Sequence, residues 1–250
     1  MTAFSYQLYS SRNFPPLRDT MRMVAKLGYA HVEGYGALFS DASQIEMIAD
    51  SLTESGLTMP TAHFGLDMVA QAPDQVLDAA ARLGVQHIFC PHLAEEERPS
   101  DAAGWSAFGQ KLAAAGQPIW DAGLGFGWHN HDFEFAAVEG QMPFDLIFAA
   151  DDRLVAELDL AWIARAGQDP HQWLDLYGPR TAAVHVKDIA APGTAEDEDG
   201  WADVGHGTLD WARLYHQAKA HGCRHFIMEH DNPSDHHRFA DRSLTAARAF

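Results

Sequence analysis

Two apolar periodicities alternate along the chain. Stretches with apolar residues at helical spacing, such as Met47, Ile48 and Leu52, or Val76, Leu77 and Ala80, give way to short apolar runs of strand character. The junction between them is regular. A helical stretch ends at a glycine and an apolar run follows: Gly28, Gly56, Gly84, Gly123, Gly178 and Gly222 each stand at such a junction. Glycine closes a helix there by adopting the left-handed conformation before the chain turns into a strand. This pattern predicts strands over 4–8, 29–33, 57–63, 85–90, 124–128, 154–158, 181–186 and 224–229. Helices are expected over 17–27, 43–55, 74–83, 102–122, 144–150, 171–177, 211–221 and 235–250.

Strands alternating with helices indicate a parallel sheet in an α/β fold. Eight such units in 250 residues suit a closed (β/α)8 TIM barrel, expected as a single domain over 1–250. The first strand is followed by Ser10-Ser11-Arg12 and not by a glycine-rich phosphate loop, which argues against a dinucleotide fold. With 47% hydrophobic residues the chain can bury a sizeable core.

Charge narrows the partners. A formal charge of −18, from 35 acidic and 17 basic residues, repels phosphate backbones, so no nucleic acid is expected. Cys90 and Cys223 sit in apolar runs and are expected as buried, reduced thiols. Residues 1–8 show no basic segment followed by an apolar one, and no apolar run approaches the ~20 residues of a membrane span. A cytoplasmic location and no membrane partner are the expectations.

In barrels of this kind the site is built where strands end and the following loops begin. The residues there are Gln7, Glu33, His63, His92, His129 with His131, Asp159, His185 with Lys187, and Glu229. Branched apolar side chains normally fill a barrel interior, and buried carboxylates and imidazoles are costly unless they bind something. Each has a plainer alternative. Asp159 could cap the next helix, and His185 could be a hydrogen-bonded core histidine. Standing together at strand ends, Asp159, His185 and Glu229 are instead expected to ligate a metal. The fifth strand, in Trp128-His129-Asn130-His131-Asp132-Phe133-Glu134-Phe135, offers three candidates. Alternation puts His129 and His131 on one face. Glu134 is the expected ligand if the chain bends back after Asp132, with His129 and His131 its rivals. Gln7, Glu33, His63, His92, His129 and Trp162 are the expected substrate contacts, with a buried ion pair as the alternative for Glu33. His236 and His237 read as an exposed helix start. The acidic run 196–199 reads as a solvated loop or, with Trp201 behind it, as a lid. Oxygen and nitrogen donors without sulfur suit one divalent ion, Mn²⁺, Mg²⁺, Co²⁺ or Zn²⁺.

The chain resembles the sugar phosphate isomerase/epimerase family of xylose isomerase-like barrels, relatives of inosose dehydratase and ketose 3-epimerases. The resemblance rests on Gln7-Leu8-Tyr9-Ser10-Ser11-Arg12, on the fifth-strand segment above, and on Glu157-Leu158-Asp159-Leu160-Ala161-Trp162 with Gly167-Gln168-Asp169-Pro170. It continues in His185-Val186-Lys187-Asp188, Val204-Gly205-His206-Gly207 with Leu209-Asp210-Trp211, and Glu229-His230-Asp231-Asn232-Pro233. It implies a metal held by Glu, Asp, His and Glu from the fifth to eighth strands. Carried onto this chain these are Glu134, Asp159, His185 and Glu229; in some relatives the first stands where this chain has His129. One departure bears on substrate: the family's Gly-Glu-Gly reads Gly205-His206-Gly207 here.

The resemblance implies isomerisation or epimerisation of a keto-sugar or keto-polyol through an enediolate. In that scheme Glu229 removes a proton, Glu134 or His131 returns one, and Lys187 stabilises the oxyanion. A lyase or dehydratase acting on an inosose or a 3-keto-glycoside shares the first step and is the alternative. A small sugar or polyol is the expected partner, and a homo-oligomer is expected by analogy with relatives. Nothing marks a phosphate site, so a non-phosphorylated substrate is at least as strong an expectation as a phosphorylated one.

Overall fold

The helix–glycine–strand repeat closes on itself. A computed structural model describes residues 3–250, so the expectation for the first eight residues lies partly outside the described residues. The barrel strands are β1 (Ser5–Gln7), β2 (His31–Gly34), β3 (Thr58–His63), β4 (His87–Cys90), β5 (Gly125–His129), β6 (Val155–Asp159), β7 (Thr181–Val186) and β10 (His225–Met228). They form a closed, all-parallel sheet in chain order, with β10 returning to β1. A small antiparallel hairpin, β8 (Asp188–Ile189) with β9 (Trp201–Ala202), is inserted after β7.

Ten helices flank the strands: α1 (Leu17–Leu27), α2 (Ala42–Ser55), α3 (Leu66–Gln71), α4 (Pro73–Leu83), α5 (Ala102–Asp121), α6 (Pro143–Phe148), α7 (Leu160–Arg165), α8 (Pro170–Tyr177), α9 (Trp211–Ala220) and α10 (His236–Ala247). The short α3 and α7 and the hairpin were not expected from periodicity, because each is too short to show a period. Asp41, Asp101, Asp169, Asp210 and Asp235 cap α2, α5, α8, α9 and α10, each accepting a bond from a first-turn N–H.

Strand β5 shows how the register serves the interior. Phe126 and Trp128 are buried outside the barrel; Trp128 lies edge-on to Phe108 of α5, with ring centroids 5.2 Å apart. The inward positions are Gly125, Gly127 and His129. A Cβ on Gly127 would fall 1.6 Å from Val155 O, so only glycine lets β5 lie this close to β6. His129 then pairs in register with Glu157, and Asp159 with His185. Both cysteines are free and buried. Among the described residues no helix is long and apolar enough to cross a membrane.

Candidate active site

The polar strand-end residues form two tiers at the C-terminal mouth of the barrel. The lower tier is wholly enclosed. Gln7 Oε1 accepts from Tyr9 N at 3.1 Å, which turns Gln7 Nε2 toward Glu33 Oε1 at 2.8 Å. His185 Nε2 lies 2.7 Å from the same Glu33 oxygen. Glu157 Oε2 stands 2.5 Å from His63 Nε2, 3.1 Å from His129 Nδ1 and 3.3 Å from His185 Nε2. The two carboxylates diverge electrostatically. For Glu33, burial is outweighed by His63 and His185, which hold its acid low. For Glu157, burial and the neighbouring Glu33 charge push it up.

The upper tier opens to solvent. His185 turns its other nitrogen, Nδ1, to Glu229 Oε2 at 2.8 Å. Lys187 Nζ lies 2.9 Å from Glu229 Oε2, 3.1 Å from Asp159 Oδ2 and 2.9 Å from Asp231 Oδ1. Burial alone would lower the lysine's pKa, but the three carboxylates outweigh it and hold the ammonium charged. Burial likewise opposes ionisation of Glu229, and Lys187 and His185 overcome it, keeping the carboxylate ionised. Asp159 is fixed from both sides: its backbone N–H and C=O pair with the Asn130 side chain at 3.0 and 3.2 Å. Asp159 Oδ1 caps α7 through Ala161 N and Trp162 N, leaving Oδ2 to face Lys187. Asp159 is thus a helix cap, the alternative set for it in the sequence, and one whose second oxygen still faces the cluster.

Donor atoms from His129, Asp159, His185 and Glu229 all lie within 4.8 Å of one another. Two imidazoles and two carboxylates form a donor set that suits a divalent ion. Asp159 Oδ2 and His129 Nδ1 are buried and face ionisable partners, Lys187 Nζ and Glu157 Oε2, each at 3.1 Å. On these observations the residues fit such an ion.

Above this floor lies a cavity of about 610 Å³. His63, His129 and Glu229 form part of its base, and Tyr9, Tyr35, His92, His131, Trp162 and Trp201 its walls. Burial, followed by the Lys187 charge, lowers the His131 pKa to about 3, so this ring is neutral. Arg165 stacks on Trp201, its guanidinium 3.3 Å from the ring centroid, and donates to Asp199 O at 3.0 Å.

Several sequence expectations are corrected. Glu134 is neither in the donor cluster nor on the cavity wall. Both its oxygens are engaged behind the strand, Oε1 by Trp128 Nε1 at 2.7 Å and Oε2 by His131 N at 2.9 Å. The chain does bend after Asp132, but the turn directs Glu134 into the core, where burial raises its pKa to about 8. Gln7 and Glu33 lie beneath the cavity, fully buried, and not on its wall. The acidic run is not simply solvated: Glu198 is buried and pairs with Arg238 at 2.8 Å and Ser234 N at 2.7 Å. His236 stacks on Phe14 with centroids 4.2 Å apart. The glycines of Gly205-His206-Gly207 donate their N–H groups to Asp188 at 2.9 and 3.1 Å, while His206 is exposed and off the cavity wall. That departure therefore does not touch the cavity.

Glu157 and Asp231 were missed. Each stands two residues from a recognised strand-end acid, Asp159 and Glu229, and period-two alternation was the signal that could have found them.

The profile of the family described as xylose isomerase-like TIM barrel matches residues 21–249. A sugar phosphate isomerase/epimerase from Parabacteroides distasonis superposes with a TM-score of 0.83 at 19% identity, over 99% of this chain and 94% of that one. A 3-keto-D-glucoside 4-epimerase from E. coli does so with a TM-score of 0.74 at 18% identity, over 100% of both chains. A probable 3-DHS dehydratase from Bacillus anthracis gives 0.71 at 12% identity, over 99% of both. At these identities the likeness is one of fold. Epimerase, isomerase and dehydratase neighbours share this barrel. No curated protein matches the sequence significantly.

Proposed function

The chain belongs to the xylose isomerase-like TIM barrel family, and on that footing we propose that it is a divalent-metal-dependent isomerase or epimerase of a keto-sugar or keto-polyol. One observation carries this reading: four N and O donors converge within 4.8 Å at the base of an aromatic-walled cavity. His129, Asp159, His185 and Glu229 would hold the ion. When bound it would supply Lewis-acid polarisation of a carbonyl, which makes the neighbouring C–H acidic.

The chain's own groups supply the rest. Glu229, kept ionised by Lys187 and His185, presents a carboxylate at the base of the cavity to take the proton. The Lys187 ammonium stands 2.9 Å from Glu229 and places positive charge behind the carboxylate that would take the proton. His131, neutral and on the cavity wall, relays a proton to the product. Tyr9, Tyr35, Trp162 and Trp201 cover the apolar faces of a sugar ring and exclude water.

A lyase outcome is favoured by the same His131, since a neutral imidazole on the wall can receive and pass on the proton that a departing hydroxyl needs. Product analysis separates the two: an epimer or isomer retains the substrate's mass, whereas elimination yields an unsaturated product. For the site itself, wild type is expected to carry about one equivalent of divalent metal by elemental analysis, lost in Asp159→Ala and His185→Ala. Glu229→Gln is expected to reduce turnover at least a hundredfold, on the order of a lost general base. Near-normal turnover of Glu229→Gln would remove it from the role of base.

A further inference from the structure

In the tier beneath the cavity, Gln7 and Glu33 are fully buried, touch no solvent and have no part in the chemistry above. Their hydrogen bonds form one directed line. Tyr9 N donates to Gln7 Oε1, so the amide can only present its Nε2 donor to Glu33. Glu33 Oε1 thereby faces three nitrogens, His185 Nε2 at 2.7 Å, Gln7 Nε2 at 2.8 Å and His63 Nε2 at 3.3 Å. His185 spans the tiers, with Nε2 toward Glu33 and Nδ1 toward Glu229 at 2.8 Å.

We propose that Glu33, oriented by Gln7, is a positioning residue that keeps the His185 proton on Nε2 and so holds the Nδ1 lone pair toward the upper donor set. This rests on the metal reading above. An imidazole ligand has one nitrogen for the cation and one for a proton, and a carboxylate behind the ring decides which is which. Strand register supplies the rigidity: Gln7 and Glu33 are paired neighbours on β1 and β2, and His185 stands on β7 within the same closed sheet. The inward nitrogen of His185 is also 3.3 Å from Glu157, but Glu157 is the nearer partner of His63 at 2.5 Å. Glu33 is the nearer partner of His185 Nε2 from below, at 2.7 Å.

The test is calorimetric titration of metal-free protein with Mn²⁺ or Zn²⁺, for wild type, Glu33→Gln and Gln7→Met. It is joined to ¹⁵N imidazole spectra of the Zn²⁺-loaded proteins. A glutamine at 33 can turn its NH₂ to the ring and draw the proton to Nδ1. Glu33→Gln is expected to weaken binding about 10–100-fold at unchanged stoichiometry, and to remove the Nε2–H signature of His185. Gln7→Met leaves the carboxylate but loosens its aim, so a smaller loss in the same direction is expected; it also serves if Glu33→Gln does not fold. Wild-type affinity and an unchanged His185 spectrum in both variants would overturn the proposal while leaving the metal reading intact. Two equivalents bound by wild type would also overturn it, since His185 Nε2 would then be a ligand in the group His63, His129, Glu157 and His185. A wild type that binds no divalent ion would bring down the metal reading and this inference together, a result distinct from either of the others.

Discussion

Glu134 and Asp159 are both buried acids near strand ends, yet they are used in opposite ways. Asp159 gives one oxygen to a helix N-terminus and keeps the other turned to Lys187. Glu134 gives both oxygens to donors in the core, Trp128 Nε1 and His131 N, and so braces the turn that presents His131. Glu134→Ala is expected to cost about 1–3 kcal/mol for each donor left unpaired, without loss of metal. Thermal unfolding with elemental analysis checks both halves. The raised pKa of about 8 fixes a pH dependence. Below the unfolded-state value near 4.5 both states are protonated and the full contribution of Glu134 is present. Between there and about 8 the unfolded chain ionises while the folded one does not, so folding takes up a proton and stability falls as pH rises. Glu134→Gln lacks this dependence. The stability advantage of wild type over it is expected to shrink as pH rises through that window. Melting curves of the two proteins across the range would show a constant gap if Glu134 were not held protonated.

At the scale of elements, strands β5 and β6 carry two of the four donors, His129 and Asp159, and their closeness depends on Gly127. An alanine there would place its Cβ 1.6 Å from Val155 O and drive the two strands apart. Overpacking of this kind costs typically ~1–3 kcal/mol, and here it would also displace His129 from Glu157. Gly127→Ala is expected to lower the melting temperature and weaken metal binding together. Lower stability with unchanged affinity would mean that β5 moves as a unit and the site does not depend on this spacing. The eight-strand order was legible because each strand is a short apolar run, six of the eight behind a glycine. Boundaries moved by one to three residues, as at α2, where Asp41 and not Ser43 opens the helix. The hairpin β8–β9 was not legible: each of its strands has two residues, and no period exists at that length.

At the scale of the whole molecule, charge is the governing quantity. The chain carries −18 overall, and Glu229, Asp231 and Asp199 line the cavity against the cations Arg165 and the buried Lys187. Arg165 is already engaged by Asp199 O and by Trp201. No cation on the wall is left over for a phosphate. A neutral keto-sugar is therefore expected as substrate, with its phosphate ester turned over at least tenfold less efficiently, as repulsion worth about 1.4 kcal/mol would give. Comparing kcat/KM for a sugar and its phosphate ester decides this, and a preference for the ester would contradict the electrostatic reading.

The sequence by itself determined the barrel and the polar ring at its mouth, because both follow from local rules: periodicity sets the elements, and position at a strand end sets the ring. It brought out Asp159, His185 and Glu229 as residues that would meet, and named Glu134 ahead of His129 as the fourth. What it could not determine was direction. Whether Glu134 turns into the cavity or into the core depends on a turn of three residues and on an indole N–H from Trp128. Whether Gln7 and Glu33 meet a substrate or lie beneath the floor depends on how deep each strand end sits in the closed sheet. These are long-range facts of register and burial, and only the tertiary structure, by bringing β1, β2 and β7 around one axis, decides them.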